Sequence, residues 1–242
     1  MRILVINPNT TASMTDKIAA AARGAARAET EIVAVNPTDG PASIEGFYDE
    51  AFSIPGVIAE INAHADADAI VIACFDDTGL DAARCVTDVP VLGIGEAAFH
   101  TASFIANRFT VITTLSRSVP AIENNLIRYG LATRCAKVRA TEIPVLDLED
   151  NGPEARASIA DQIERAKAED GAEAIVLGCA GMTDLTNALA REHALPVLDG
   201  VACAVALAEA LTGLGVRTSK LGGYAKPRAK QYTGSAAPFS PR

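Results

Sequence analysis

The sequence has no uninterrupted apolar run near the ~18 residues that a membrane-spanning helix requires, although 49% of its 242 residues are apolar. No membrane span is expected. Its first apolar stretch, Met1 to Ile6, is too short for a secretory signal and reads as a strand, so a cytoplasmic location is expected. Basic residues are scarce: 21 Lys and Arg stand against 30 Asp and Glu, and the net charge of -9 leaves no electrostatic footprint for nucleic acid. The five cysteines, Cys74, Cys85, Cys135, Cys179 and Cys203, include no C-x-x-C pair and are odd in number, which argues against a disulfide framework and a structural zinc site. His64, His100 and His193 show no metal spacing. Neither a metal nor any other cofactor is expected.

What is present is a pair of similar apolar runs, Ala69-Ile70-Val71-Ile72-Ala73-Cys74 and Ala174-Ile175-Val176-Leu177-Gly178-Cys179. Each is short, rich in β-branched residues and bounded by acidic or Gly-containing residues, as in a strand buried on both faces. Their cysteines are 105 positions apart, and Leu195-Pro196-Val197-Leu198 echoes Val89-Pro90-Val91-Leu92 at nearly the same offset, as Val111-Ile112 echoes Val5-Ile6. Strands alternate with helical patterns throughout. A helix is expected from a Ser13/Asp16 capping box through about residue 28, and others through about Ala65, from Leu80 to Cys85 and from Glu96 to Asn107.

The expected fold is therefore α/β: two pseudo-symmetric lobes, each a mainly parallel sheet flanked by helices, with an active site in the cleft between them. The first lobe spans 1–107, joined by the C-terminal segment 211–242. The second spans 108–210.

A lone cysteine at a strand end is ordinarily a small buried hydrophobe, and Cys85, Cys135 and Cys203 keep that reading. Cys74 and Cys179 differ because duplication puts both at the carboxyl tip of a buried parallel strand, where open α/β sheets place ligands. If the lobes face each other, two thiols oppose across one pocket. One can remove a proton from a stereocentre while the other returns one to the opposite face, and helix N-termini following the cysteines are expected to favour the thiolate. The carbon must adjoin a carbonyl, whose developing charge backbone N–H groups can hold. Side chains of Asn9, Thr10, Thr78, Thr113, Thr114 and Thr183 are candidates for orienting the substrate. Asp76 and Asp77 read as helix caps supporting the Cys74 loop.

Four motifs carry a family resemblance: Asn7-Pro8-Asn9-Thr10, Ser43-Ile44-Glu45-Gly46 with Tyr48-Asp49-Glu50-Ala51, Cys74-Phe75-Asp76-Asp77-Thr78-Gly79-Leu80, and Gly178-Cys179-Ala180-Gly181-Met182. With them the chain resembles the hydantoin racemase branch of the aspartate/glutamate/hydantoin racemase superfamily over nearly its whole length. The resemblance implies a cofactor-independent, homo-oligomeric two-base racemase acting on 5-monosubstituted hydantoins, with Cys74 and Cys179 as the catalytic pair. It further implies main-chain contacts to the ring near Ile44, Phe75, Thr113, Thr114 and Ala180, with Asn9 on the pocket wall. The same motifs put Ser43, Thr78, Gly79 and Gly181 among the expected substrate contacts. Allantoin, itself a 5-substituted hydantoin, is the alternative substrate. Free amino acids fit less well, since no Arg or Lys stands in the strand-end motifs, although Arg84 and Arg117 are nearby.

Two rival classes remain at this stage. Gly93-Ile94-Gly95-Glu96-Ala97-Ala98 matches the dinucleotide fingerprint, which would suit an NADP-binding oxidoreductase. Two lobes about a cleft also describe a non-catalytic small-ligand receptor.

Overall fold

The computed structural model describes residues 1–148 and 152–241; Arg242, the end of the expected C-terminal segment, lies outside the described residues. Strands and helices alternate: β1 (Arg2–Ile6), α1 (Ala12–Ala25), β2 (Glu31–Val35), α2 (Phe47–Ala63), β3 (Ala69–Ile72), α3 (Leu80–Val86), β4 (Val91–Gly93) and α4 (Ile94–Ile105). The pattern then repeats as β5 (Phe109–Thr113), α5 (Val119–Arg128), β6 (Cys135–Ala140), α6 (Pro153–Arg165), β7 (Ala174–Gly178), α7 (Thr186–His193), β8 (Val197–Asp199) and α8 (Gly200–Gly213). The sheets order as β2-β1-β3-β4 and β6-β5-β7-β8, and every pairing is parallel. One topology thus occurs twice.

Side-chain alternation explains why the strands read as continuous apolar runs. Ile3, Val5, Ala69 and Val71 point to an inner layer, while Leu4, Ile6, Ile70 and Ile72 pack outward on Val57 and Ile61 of α2 and Leu80 and Ala83 of α3. In the second sheet Phe109, Val111 and Val176 face inward, and Ile112, Ile175 and Leu177 pack on Ile159 and Ile163 of α6 and Leu189 of α7. The inner layer holds α1, α4, α5 and α8 and forms one continuous core between the sheets, including Ile18, Phe99, Ile122 and Val205. Phe99 sits at its centre, 5.3 Å edge-on from Phe75 and 6.1 Å from Phe109.

Some local expectations are corrected. α1 starts at Ala12 after Thr11, which makes no side-chain cap, so the Ser13/Asp16 capping box does not form, and the helix stops at Ala25. In the Val89-Pro90-Val91-Leu92 run the strand begins only at Val91, because Pro90 has no N–H for the ladder. After α8 the chain runs along the first lobe: Thr218 donates through N to Asp88 O (3.0 Å) and through Oγ1 to Val89 O (2.7 Å), and Tyr224 reaches Asp81 (3.1 Å).

Candidate active site

Cys74 and Cys179 stand at equivalent carboxyl tips, one just beyond β3 and the other just beyond β7, and both line a single cavity of about 40 Å3. Asn9, Ile44, Phe75, Thr113, Thr114 and Ala180 line it too. The Phe75 ring is directed at Phe99 in the core, so main chain is what Phe75 offers the cavity. Thr113 Oγ1 donates to Gly178 O (3.1 Å), and Asn9 Oδ1 accepts from Asn7 Nδ2 (2.8 Å) and Thr11 N (2.9 Å). These side chains shape the wall with polar groups already engaged.

Six expected contacts lie off the wall, among them Thr10, whose Oγ1 donates to Pro41 O (3.3 Å), and Thr183, whose Oγ1 donates to Ala180 O (2.7 Å). Thr78 and Gly181 stand behind the sulfurs: Thr78 Oγ1 donates to Cys74 Sγ, and Gly181 N donates to Cys179 Sγ, each at 3.4 Å. Gly79 is the left-handed cap residue that starts α3, with φ of 75°. Ser43 is half-buried beside the loop that carries Ile44. In their place the wall includes Asn7, Met14, Asp76, Ser118 and Val145. Sequence reasoning gave Asp76 a capping role, and the others lie on loops and an element that only the tertiary fold brings here.

The thiols are not poised as expected. Burial pushes Cys179 up to about 11, against the lowering effect of the Gly181 N–H. Cys74 is pushed well up too, first by burial and then by the Asp76 carboxyl beside it. The expected stabilisation by helix N-termini is outweighed, because a dry site penalises a thiolate more than a few N–H dipoles favour it.

Asp77 does cap a helix, but a distant one. Its carboxylate accepts from Gly95 N (2.9 Å) and Glu96 N (2.8 Å) at the start of α4, and from the Tyr129 hydroxyl (2.7 Å). A Cβ on Gly93 would meet Asp77 Oδ1 at 2.0 Å, which explains the glycine. The helix start that would receive a phosphate is therefore occupied by the protein's own carboxylate, and the dinucleotide reading falls.

Asp76 is the one charged side chain among the described residues lining the cavity. Arg84 is tied to Glu96 (2.5 Å) and Val91 O (2.9 Å), and Arg117 is exposed off the wall. Among the described residues lining the cavity, nothing cationic awaits a substrate carboxylate. Between the lobes, Glu45 Oε1 accepts from Val145 N (3.0 Å) and Lys17 Nζ donates to Leu148 O (3.4 Å). A volume of about 40 Å3 holds little more than one water, too little for a hydantoin ring. A larger hollow of about 750 Å3 lies elsewhere, between Pro37, Phe52 of α2 and Phe239, with no cysteine among the described residues on its wall.

The profile of the Asp/Glu/Hydantoin racemase family matches residues 3–208. A hydantoin racemase of Rhizobium meliloti is 53% identical over 97% of this chain and 98% of its own length. Among solved structures, an allantoin racemase from Klebsiella pneumoniae superposes with a TM-score of 0.96 at 46% identity, covering 100% of both chains. That of Pseudomonas fluorescens gives 0.94 at 43% identity, covering 97% of this chain and 100% of the other. With a full-length match of sequence and fold to enzymes that invert a stereocentre, this chain is a racemase and belongs to the Asp/Glu/hydantoin racemase family.

Proposed function

We propose that this racemase interconverts the D and L forms of 5-monosubstituted hydantoins, with Cys74 and Cys179 as its two acid/base groups and no cofactor. The observation that carries the reading is the cavity wall: two cysteines from equivalent strand tips and, among the described residues lining it, no cation to hold a carboxylate. In one direction a Cys179 thiolate takes the C5 proton and becomes a thiol. The electron pair passes to the adjacent ring carbonyl, where N–H groups of the strand-end loops hold the oxyanion. The Cys74 thiol then protonates the opposite face and is left as the thiolate. Proton count and charge are conserved, and the reverse direction exchanges the two roles.

Allantoin is the second reading, favoured by the likeness to the two allantoin racemases. Among the described residues no helix is long and apolar enough to cross a membrane. The family likeness supports a cytoplasmic homo-oligomer, and the exposed Phe47, Tyr48 and Phe52 offer it an apolar contact face.

The test is optical rotation of single-enantiomer 5-benzylhydantoin, with allantoin and L-aspartate in parallel. Wild-type protein is expected to bring the hydantoin's rotation to zero and leave aspartate unchanged. Cys74→Ser and Cys179→Ser should each lower racemisation by about 10²–10⁴-fold. In deuterium oxide each variant should still exchange the C5 proton of one enantiomer only, the one that its remaining thiol faces. Wild-type exchange of both enantiomers by both variants would overturn the two-cysteine assignment.

A further inference from the structure

The pseudo-twofold that repeats the cysteines does not repeat Asp76: where Cys179 corresponds to Cys74, Gly181 stands in its place. The cavity thus has one acidic wall, on the Cys74 side. Behind Asp76 lies Glu50 of α2. Glu50 Oε1 is buried and meets no N–H or O–H donor among the described residues, and its hydrogen-bonding neighbour is the Asp76 carboxyl. Two carboxylates only repel each other, whereas one proton between them satisfies both.

The other titratable or charged groups facing this pair are Asp77 and Cys74 from its own loop, Arg128 from α5, and Cys179 across the cavity. Arg128 is engaged by Asp81 (2.9 Å) and the Tyr129 hydroxyl (2.9 Å), so a proton is the pair's nearest neutralising charge. Burial first, then the Glu50 and Asp77 carboxyls, push Asp76 up to about 8, and burial raises Glu50 as well.

The Asp76 loop is fixed from outside, since Asn125 Nδ2 donates to the Asp76 carbonyl (2.8 Å). No N–H of the described residues is spent on the Asp76 side chain, unlike Asn9 Oδ1. A hydantoin carries an N–H on the very carbon that racemises, and that N–H needs an acceptor once water has left the cavity.

Resting on the hydantoin reading, we propose that Asp76 accepts the hydrogen bond of the ring N–H beside C5, and that the single negative charge left on the Asp76–Glu50 pair, which shares one proton, favours neutral ureide substrates over anionic ones. The shared proton also spares Cys74 a second full negative charge when its turn comes to ionise. Asp76 is thereby a specificity-determining residue that touches the substrate, and Glu50 is a positioning residue acting through it.

The experiment pairs variants with substrates: wild type, Asp76→Ala and Asp76→Asn against 5-benzylhydantoin and its N1-methyl analogue, each protein checked by circular dichroism. Wild type should lose about 10- to 100-fold in kcat/KM on methylation, and Asp76→Ala a similar factor on the parent compound. On the methylated compound Asp76→Ala should change little, because the contact is already gone. Asp76→Asn keeps a carbonyl acceptor and gives Glu50 an N–H, so it should stay within about tenfold of wild type on the parent. Equal losses on both substrates with Asp76→Ala, wild-type indifference to methylation, or an Asn variant as poor as the Ala variant would each overturn the proposal. If wild type racemised neither compound, the hydantoin reading itself would fail and take this one with it.

Discussion

Burial works against ionisation at both sulfurs, and unequally. Cys179 keeps the Gly181 N–H beside it and rises to about 11, whereas Cys74 faces Asp76 and is pushed well up too. A thiol is charged when it loses its proton, so a raised pKa leaves both groups as thiols near neutrality, with Cys179 the first to yield thiolate as pH climbs. kcat/KM is therefore expected to increase by about tenfold per unit from pH 6 to 7, below the range near 8 where the Asp76–Glu50 pair gives up its shared proton, as the thiolate fraction of an acid far below its pKa does. A flat profile over that range, measured with 5-benzylhydantoin, would mean that substrate-free protein already holds a thiolate. That these two residues meet on one cavity wall was readable in the sequence because a duplicated strand ended twice on the same atom type. Their ionisation was not, since it depends on how dry the site is and on a Glu50 carboxyl that approaches from another element.

At the scale of elements, the strands declared themselves through unbroken apolar runs and a near-constant offset, and their parallel pairing follows from the helices between them. Helix starts were less legible. The Ser13/Asp16 pattern marks no cap, while the cap of α4 comes from Asp77, 18 residues before Gly95. The Gly93-x-Gly95 pattern announced that something anionic approaches the helix start; chain alone could not say that the anion is the protein's own. Loop contributions were the least legible. Val145 reaches the wall because Glu45, 100 residues earlier, accepts its N–H. We propose that this bond opens to admit substrate to so small a cavity and re-forms behind it. Glu45→Ala should raise KM for the hydantoin by about tenfold, the worth of one hydrogen bond to a charged group. Backbone amides of Ile44 and Val145 should exchange with solvent faster in the same variant. Unchanged KM and exchange would show that the loops close without this bond.

At the scale of the molecule, the duplicated topology suggests two units, but the packing joins them. The two sheets fall within 2–93 and 109–199, yet α4, which follows the first sheet, and α8, which follows the second, lie in the same inner layer against α1. We propose that the division at 107/108 is one of topology and not of folding: neither half alone could cover the faces of Val5 and Val71 or of Val111 and Val176. Closing motion then belongs to the loops lining the cavity, while the core fixes how the two strand tips face each other. Phe109 tests this arrangement, since it is fully buried, belongs to the second sheet and stacks on Phe99 of α4. Phe109→Ala should cost about 3–5 kcal/mol through the cavity it leaves. If the core is one cooperative unit, native-state hydrogen exchange will show that loss equally at Val5 in β1 and at Val176 in β7, because both open only by global unfolding. Loss of protection confined to β7, with Val5 unchanged, would instead separate the lobes, and the geometry at the cysteines would then depend on a docking equilibrium between them.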